Sequence, residues 1–336
     1  RPLPSDRWTV RALTVLVLVV GGAGSAVALE HVTFEREGST IRIEGRLVEE
    51  FPGGGLLVET NDAVLWTVQA DELVERTTDE AAFEPLDAEA MADRVLGELP
   101  RGFEVRTTTH YVILHNTSSA YAAWCGSLFE RLYRSFTGFW KNRDFELSEP
   151  EFPLVAIVFS DKRSFVEFSR AEVGDAVEAI IGYYSLRTNR MVMYDLAGTG
   201  PFGNLGSSRR TSSRIKEFLN RADAPRAVAT IVHEATHQIA HSCGMHRRYS
   251  DCPMWVSEGI ALYFETPDLR SRRGWRGIGD PNPARLKRFR EYLARRPADS
   301  LETLISENTR LASTKTAQNA YAEAWALTYY LIQRRE

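Results

Sequence analysis

Cysteine is scarce. The chain has three in 336 residues, Cys125, Cys243 and Cys252, which allow one internal bridge at most and leave one thiol over. Basic charge has no surplus: 41 Lys and Arg stand against 45 Asp and Glu, a net charge of −4. General affinity for nucleic acid is therefore not implied. Long apolar runs are confined to the N-terminus. The later apolar stretch Ala317 to Gln333 is too short and interrupted to span a membrane and reads as a buried helix. What remains is ordinary, with 43% hydrophobic and 26% charged residues. That suits a globular chain long enough for one large core or two domains.

The N-terminal run is a secretory signal in layout. Arg1, Arg7 and Arg11 precede the charge-free segment Ala12 to Leu29, whose apolar centre is Leu13 to Val20. Small residues follow, ending Ala26-Val27-Ala28, an A-x-A cleavage pattern. Cleavage after Ala28 is expected, with an uncleaved membrane anchor as the alternative. Either way the bulk of the chain is expected to be exported, to the periplasm, the cell surface or the medium. Arg1 in place of Met, and a helical pattern running up to Glu336, are what a sequence continuing past both ends would show.

The chemistry centres on His233-Glu234-Ala235-Thr236-His237. Ala227, Val228, Ile231 and Val232 lie at helical spacing just upstream, so this H-E-x-x-H sits in an amphipathic helix. Pro225 suits its first turn and Asp223 its N-cap. Helical spacing puts His233 and His237 on one face, one turn apart. Two such imidazoles can bind one zinc ion, with Glu234 as general base. Catalytic zinc takes three protein ligands, and Glu258 in Trp255-Val256-Ser257-Glu258-Gly259 is the expected third, on a second helix buried by Trp255, Ile260, Leu262 and Phe264. His241 lies one turn past His237, too far along a straight helix to share the ion, and is expected near the ligands or at the surface. His246, in a polar loop, is expected to be exposed. A metzincin needs Gly and a third His where Ala240 and Cys243 stand, which excludes that class.

H-E-x-x-H followed by W-V-x-E-G-x-A-x-Y-F-E resembles the gluzincin branch of zinc metallopeptidases, in the thermolysin-like clan. Gly182-Tyr183-Tyr184, Arg190 to Asp195 and Ala320-Tyr321-Ala322-Glu323-Ala324-Trp325 are similar to an uncharacterised secreted family of that clan, a domain of unknown function. The resemblance runs from roughly Phe103 onward. It implies an exported zinc-dependent peptidase with a zincin-like α+β domain, ligands His233, His237 and Glu258, and base Glu234. It implies an oxyanion donor outside the zinc motif. Tyr321 is the candidate, a core tyrosine is the alternative role, and Tyr263 is a second candidate. An edge strand beside the zinc helix would pair with an extended substrate; Met191 to Tyr194 is the candidate, an internal strand the alternative. Thermolysin itself carries an Asp one turn past its glutamate ligand; Leu262 stands there, and Glu265 is left as a possible partner of His233.

The remaining chain divides as follows. Residues 1–28 are the signal, 29–80 a small β module, 81–102 an acidic, helix-prone connector beginning near Thr77, and 103–336 the catalytic domain. That domain begins β-α-β-α: a strand over Phe103 to His115, a helix over Ala120 to Trp140, a buried strand Leu154 to Phe159, and a helix from Ser164. Ile181 to Asp195 reads as a hairpin, Gly198 to Ser213 as a loop over the cleft. Cys243 and Cys252 are the best pair for a disulfide, three reduced cysteines the alternative. In the arginine-rich stretch Arg270 to Arg296, Leu286, Phe289 and Leu293 share a helical face, so Arg285, Lys287, Arg288 and Arg290 are expected in solvent. An anionic partner for that face is the alternative. The expected partner is a peptide or protein substrate, with a membrane involved only if the first segment stays as an anchor. Competing functions are a non-catalytic zinc-containing binding protein and a zinc hydrolase of non-protein amides.

Overall fold

The computed structural model describes residues 28–198, 208–266 and 277–334. The expected signal up to Val27, positions 199–207 of the expected cleft loop and positions 267–276, which include the start of the arginine-rich stretch, lie outside the described residues. The fold is α+β, with two separate five-stranded sheets and an all-β N-terminal region.

The N-terminal sheet comprises β1 (Ala28–Arg36), β2 (Ser39–Glu50), β3 (Leu56–Thr60), β4 (Leu65–Val68) and β5 (Leu73–Ala82), antiparallel in the order β4-β3-β2-β1-β5. Along β1 the inward residues alternate, Glu30, Val32 and Phe34, as a pleat with one covered face requires. A small core of Val32, Phe34, Ile43, Leu56, Val58 and Val68 forms beneath. The connector expected from Thr77 starts instead as strand. Thr77 and Thr78 are β-branched and pair with His31 and Glu30 of β1, and Glu30 accepts from Arg76 and Thr78. The helix follows only at α1 (Ala88–Leu96), capped by the Asp87 carboxylate.

The second sheet carries β6 (Glu104–Thr107), β7 (Tyr111–His115), β8 (Leu154–Phe159), β9 (Gly182–Tyr184) and β10 (Arg190–Tyr194), in the order β6-β7-β8-β10-β9. The single strand expected over Phe103 to His115 is a hairpin, β6 against β7. β7, β8 and β10 are parallel, and all six residues of β8 are buried, as a central parallel strand demands. Alternate residues face opposite sides. Tyr111, Ile113, Ala156, Met191 and Met193 meet α2 (Ser119–Lys141), α4 (Ser208–Leu219) and α5 (Ala224–Ser242). Val112, Leu114, Val155, Ile157 and Val192 meet α1 and α3 (Lys162–Val173).

Met191 to Tyr194, the expected edge strand, is internal: β10 lies between β8 and β9, covered on both faces. The edge is β9, antiparallel to β10. From Ser208 the expected loop is helix, because Ile215 and Phe218 fall one turn apart and enter the core.

The C-terminal part is helical: α6 (Met254–Phe264), α7 (Pro283–Leu293), α8 (Ser300–Ser306), α9 (Thr309–Ala312) and α10 (Ala317–Gln333). α10 has the expected bounds and packs on α6 through Leu262, Ala320, Ala324 and Trp325. The approach is close at Gly259, where an added Cβ would stand 2.0 Å from Thr328 Oγ1. On α7 the expected face is rotated. Tyr292 is buried while Leu293 is 48% exposed. Arg285 and Arg288 turn inward to Glu265 and Asn319, which only polar partners distant in sequence can arrange. Among the described residues no helix is long and apolar enough to cross a membrane.

Candidate metal centre

α5 begins with proline in its first turn, and Val228, Ile231, Val232, Ala235 and Ile239 bury one stripe of it. Asp223 does not cap it; its carboxylate turns back to Arg221 instead. Gln238 anchors the helix to the sheet. Its Nε2 donates to Val155 O and to Asn189 O, both at 2.9 Å. The imidazoles of the adjoining turn are thereby held over the β9–β10 hairpin.

The three expected ligands converge. His233 Nε2 lies 3.1 Å from His237 Nε2 and 3.1 Å from Glu258 Oε2, and His237 Nε2 lies 3.6 Å from Glu258 Oε1. Donors about 2.0–2.1 Å from one tetrahedral ion stand about 3.3 Å apart, so the spacing suits a single small cation. Among the described residues this is the one group of three such side chains whose ligand atoms all lie within 4.8 Å of one another. A tetrahedral ion held by these three donors would keep a fourth position for water or another ligand.

The distal nitrogens are also accounted for. Glu265 Oε1 lies 3.0 Å from His233 Nδ1, a close ion-pair contact rather than a well-aligned hydrogen bond. Ser257 Oγ lies 3.3 Å from His237 Nδ1. Partners at Nδ1 leave Nε2 as the free lone pair that a metal needs. Glu265 is buried and itself gripped by Arg285 (3.0 and 2.8 Å) and Asn282 (3.2 Å). The possible partner of His233 is therefore in place, supported by an arginine that the sequence reading put in solvent.

Electrostatics agree with a cation-seeking cluster. Burial opposes charge on Glu258, yet the His237 and His233 rings hold its carboxyl well below the usual range. Burial likewise opposes charge on His233, and the Glu258 and Glu265 carboxylates raise it well above its usual value. Glu234 is raised, first by burial, against the pull of the two imidazoles and with the Glu258 carboxylate adding to the rise. Its Oε2 accepts the backbone N–H of Tyr184 at 2.9 Å, in β9.

Tyr321 joins this neighbourhood. It is half-buried on α10, its ring lies 5.8 Å from the Arg285 guanidinium, and burial together with the Glu258 and Glu234 carboxylates raises its hydroxyl pKa. Tyr263 does not: it is 1% exposed, packs on Phe139, Phe264 and Tyr329, and meets Gln333 through its hydroxyl. His241 stacks under Tyr184 and meets the His246 ring. Burial pushes His241 down to about 3 and His246 down to about 4. His246 is buried, contrary to the expectation of exposure, because the loop folds its ring between His241 and Cys252. Cys243 and Cys252 are not bridged. Cys243 is buried beside Tyr133, and Cys252 Sγ lies 3.5 Å from His246 Nδ1.

Tyr184, Ser257 and Gln238 were not among the residues expected at the site. Ser257 and Gln238 adjoin Glu258 and His237, which was a usable signal; the Tyr184 contribution is a backbone N–H, which no side-chain pattern reports. No curated protein and no solved structure matches this chain. A family model described as "Protein of unknown function (DUF1570)" matches residues 227–336, a narrower span than the resemblance noted from Phe103, but one that contains His233, Glu234, His237, Glu258 and Tyr321.

Proposed function

We propose that this chain is an exported zinc-dependent metallopeptidase of gluzincin type. The observation that carries the reading is the convergence of His233 Nε2, His237 Nε2 and the Glu258 carboxylate within 3.1–3.6 Å, with Glu234 beside them. When bound in such a site, zinc acidifies water from about 15.7 toward about 7 and polarises a carbonyl.

The chain's own residues supply the rest. Glu234 Oε2 is engaged by the Tyr184 N–H, which leaves Oε1 to take a proton from the attacking water and pass it to the departing amine. Burial keeps that carboxyl raised, closer to the pH at which it works. Tyr321 donates a hydrogen bond to the developing oxyanion. Glu265 and Ser257 orient the two imidazoles. Among the described residues β9 has one sheet neighbour, β10, so its other edge, apart from the Tyr184 N–H held by Glu234, suits backbone pairing with an extended peptide. Export rests on the layout of Arg1 to Ala28.

Chelator dialysis followed by zinc titration tests the reading. Hydrolysis of a peptide substrate should vanish on dialysis and return with one equivalent of zinc. Hydrolysis that persists in the metal-free protein would reject it.

A further inference from the structure

Besides the Arg46–Glu151 pair at 2.6 and 2.5 Å, the N-terminal sheet is tied to the rest of the chain through Arg248. Arg248, in the loop between α5 and α6, has a side chain only 8% exposed. Its Nη2 donates to Glu59 Oε1 of β3 at 2.5 Å. Its Nη1 shares its hydrogens among Ala63 O, at 2.8 Å in the β3–β4 turn, and Leu186 O and Arg187 O, at 3.1 and 3.3 Å in the β9–β10 turn. Two further contacts run in parallel. Leu65 N donates to Arg187 O at 2.8 Å, and Arg190 lies 3.5 Å from the buried Asp62 carboxylate. Glu59 is in turn held by Arg46.

The other side of the same hairpin meets the zinc helix. Tyr184 N donates to Glu234 Oε2 at 2.9 Å, and Asn189 O accepts from Gln238 Nε2 at 2.9 Å. Within the hairpin, Tyr184 OH donates to Asn189 Oδ1 at 2.8 Å, and Asn189 adopts a left-handed φ of 57°. A non-glycine residue in that region persists where its surroundings hold it. Residues 184–190 are thus clamped between the N-terminal sheet and α5.

We propose that Arg248 is a positioning residue and that the N-terminal sheet, through it, sets the hairpin that orients Glu234. The sheet is then a working part of the active site. The chemistry follows from the contacts. A guanidinium offers several donors in a fixed fork, and here one fork joins acceptors from three chain segments. A lysine can supply the charge toward Glu59 but not the simultaneous carbonyl contacts. Loosening the hairpin displaces the Tyr184 N–H and with it Glu234, while His233, His237 and Glu258 keep their places on α5 and α6. Small misplacements of catalytic groups cost on the order of a hundredfold in rate.

The kinetic part rests on the peptidase reading; the structural part does not. The test compares wild type with Arg248→Ala, Arg248→Lys and Glu59→Gln in the full chain. Zinc content, kcat and KM on one peptide, and hydrogen exchange of residues 184–190 are measured for each. Arg248→Ala should keep one zinc, lower kcat by about tenfold to a hundredfold, leave KM within about twofold and speed exchange in 184–190. Arg248→Lys should restore part of the loss, and Glu59→Gln should show the same pattern more weakly. If Arg248→Ala does not fold, Arg248→Lys and Glu59→Gln carry the test. Unchanged exchange in 184–190 in every folded variant overturns the proposal, as does unchanged kcat in an active enzyme. If the wild type proves inactive on peptides, faster exchange with zinc retained still supports the clamp, and unchanged exchange still rejects it.

Discussion

Removing the Glu265 carboxylate should weaken metal binding without touching a ligand. Glu265 is buried, 3.0 Å from His233 Nδ1, and neutralised by Arg285 at 2.8 and 3.0 Å. A carboxylate this close to Nδ1 favours the tautomer with its proton there and makes Nε2 a stronger donor. Losing such a partner lowers metal affinity by about 10- to 100-fold, or about 1.4–2.8 kcal/mol. Glu265→Ala should fall in that range and should also lower stability, since Arg285, 21% exposed, loses its counter-charge. Glu265→Gln keeps an acceptor for Nδ1 and should cost less, about tenfold or under. Zinc affinity by chelator competition at neutral pH, with thermal unfolding of the metal-free proteins alongside, separates the two effects. Wild-type zinc affinity in a folded Glu265→Ala protein would refute the assigned role.

Tyr321→Phe should retain zinc and lower kcat by on the order of a hundredfold; normal turnover would remove Tyr321 from the mechanism. Acid should destabilise the fold through His241 and His246, whose pKa values fall from the usual 6.5 to about 3 and about 4. The unfolded chain binds these protons first, so stability is full above about pH 6.5 and falls as pH drops toward 4, by up to about 1.4 kcal/mol per pH unit for each group. Thermal unfolding of His246→Phe against pH should show a shallower decline, and an unchanged slope would contradict the assignment. Thiol titration of the denatured, unreduced protein should give three thiols per chain; one would restore a Cys243–Cys252 bridge.

The parts legible in the sequence are those that local periodicity determines. One helical turn separates His233 from His237, and a second apolar helix carries Glu258, so the metal cluster could be read before any fold was known. The bounds of α10 and the burial of β8 were legible for the same reason. Strand order was not. Nothing local in Gly182–Tyr184 or Arg190–Tyr194 says which of the two pairs with β8, and that pairing alone makes β9 the edge. The burial of His246 and the inward turn of Arg285 depend on partners brought by tertiary folding, Cys252 and His241 for one and Glu265 for the other. Neither partnership has a local signature, and isolated polar residues default to solvent. Thr77 and Thr78 extended β5 into an acidic stretch because β1 offered it hydrogen bonds, where tertiary pairing outweighed helix propensity.

Peptidase activity is decided by incubating the zinc-loaded protein, and its Glu234→Ala variant, with a mixed peptide library and reading the products by mass spectrometry. The wild type should make cuts that chelator abolishes and that Glu234→Ala does not make, although the variant keeps its zinc. No cuts from a folded, zinc-loaded wild type, or the same cuts from Glu234→Ala, would contradict it.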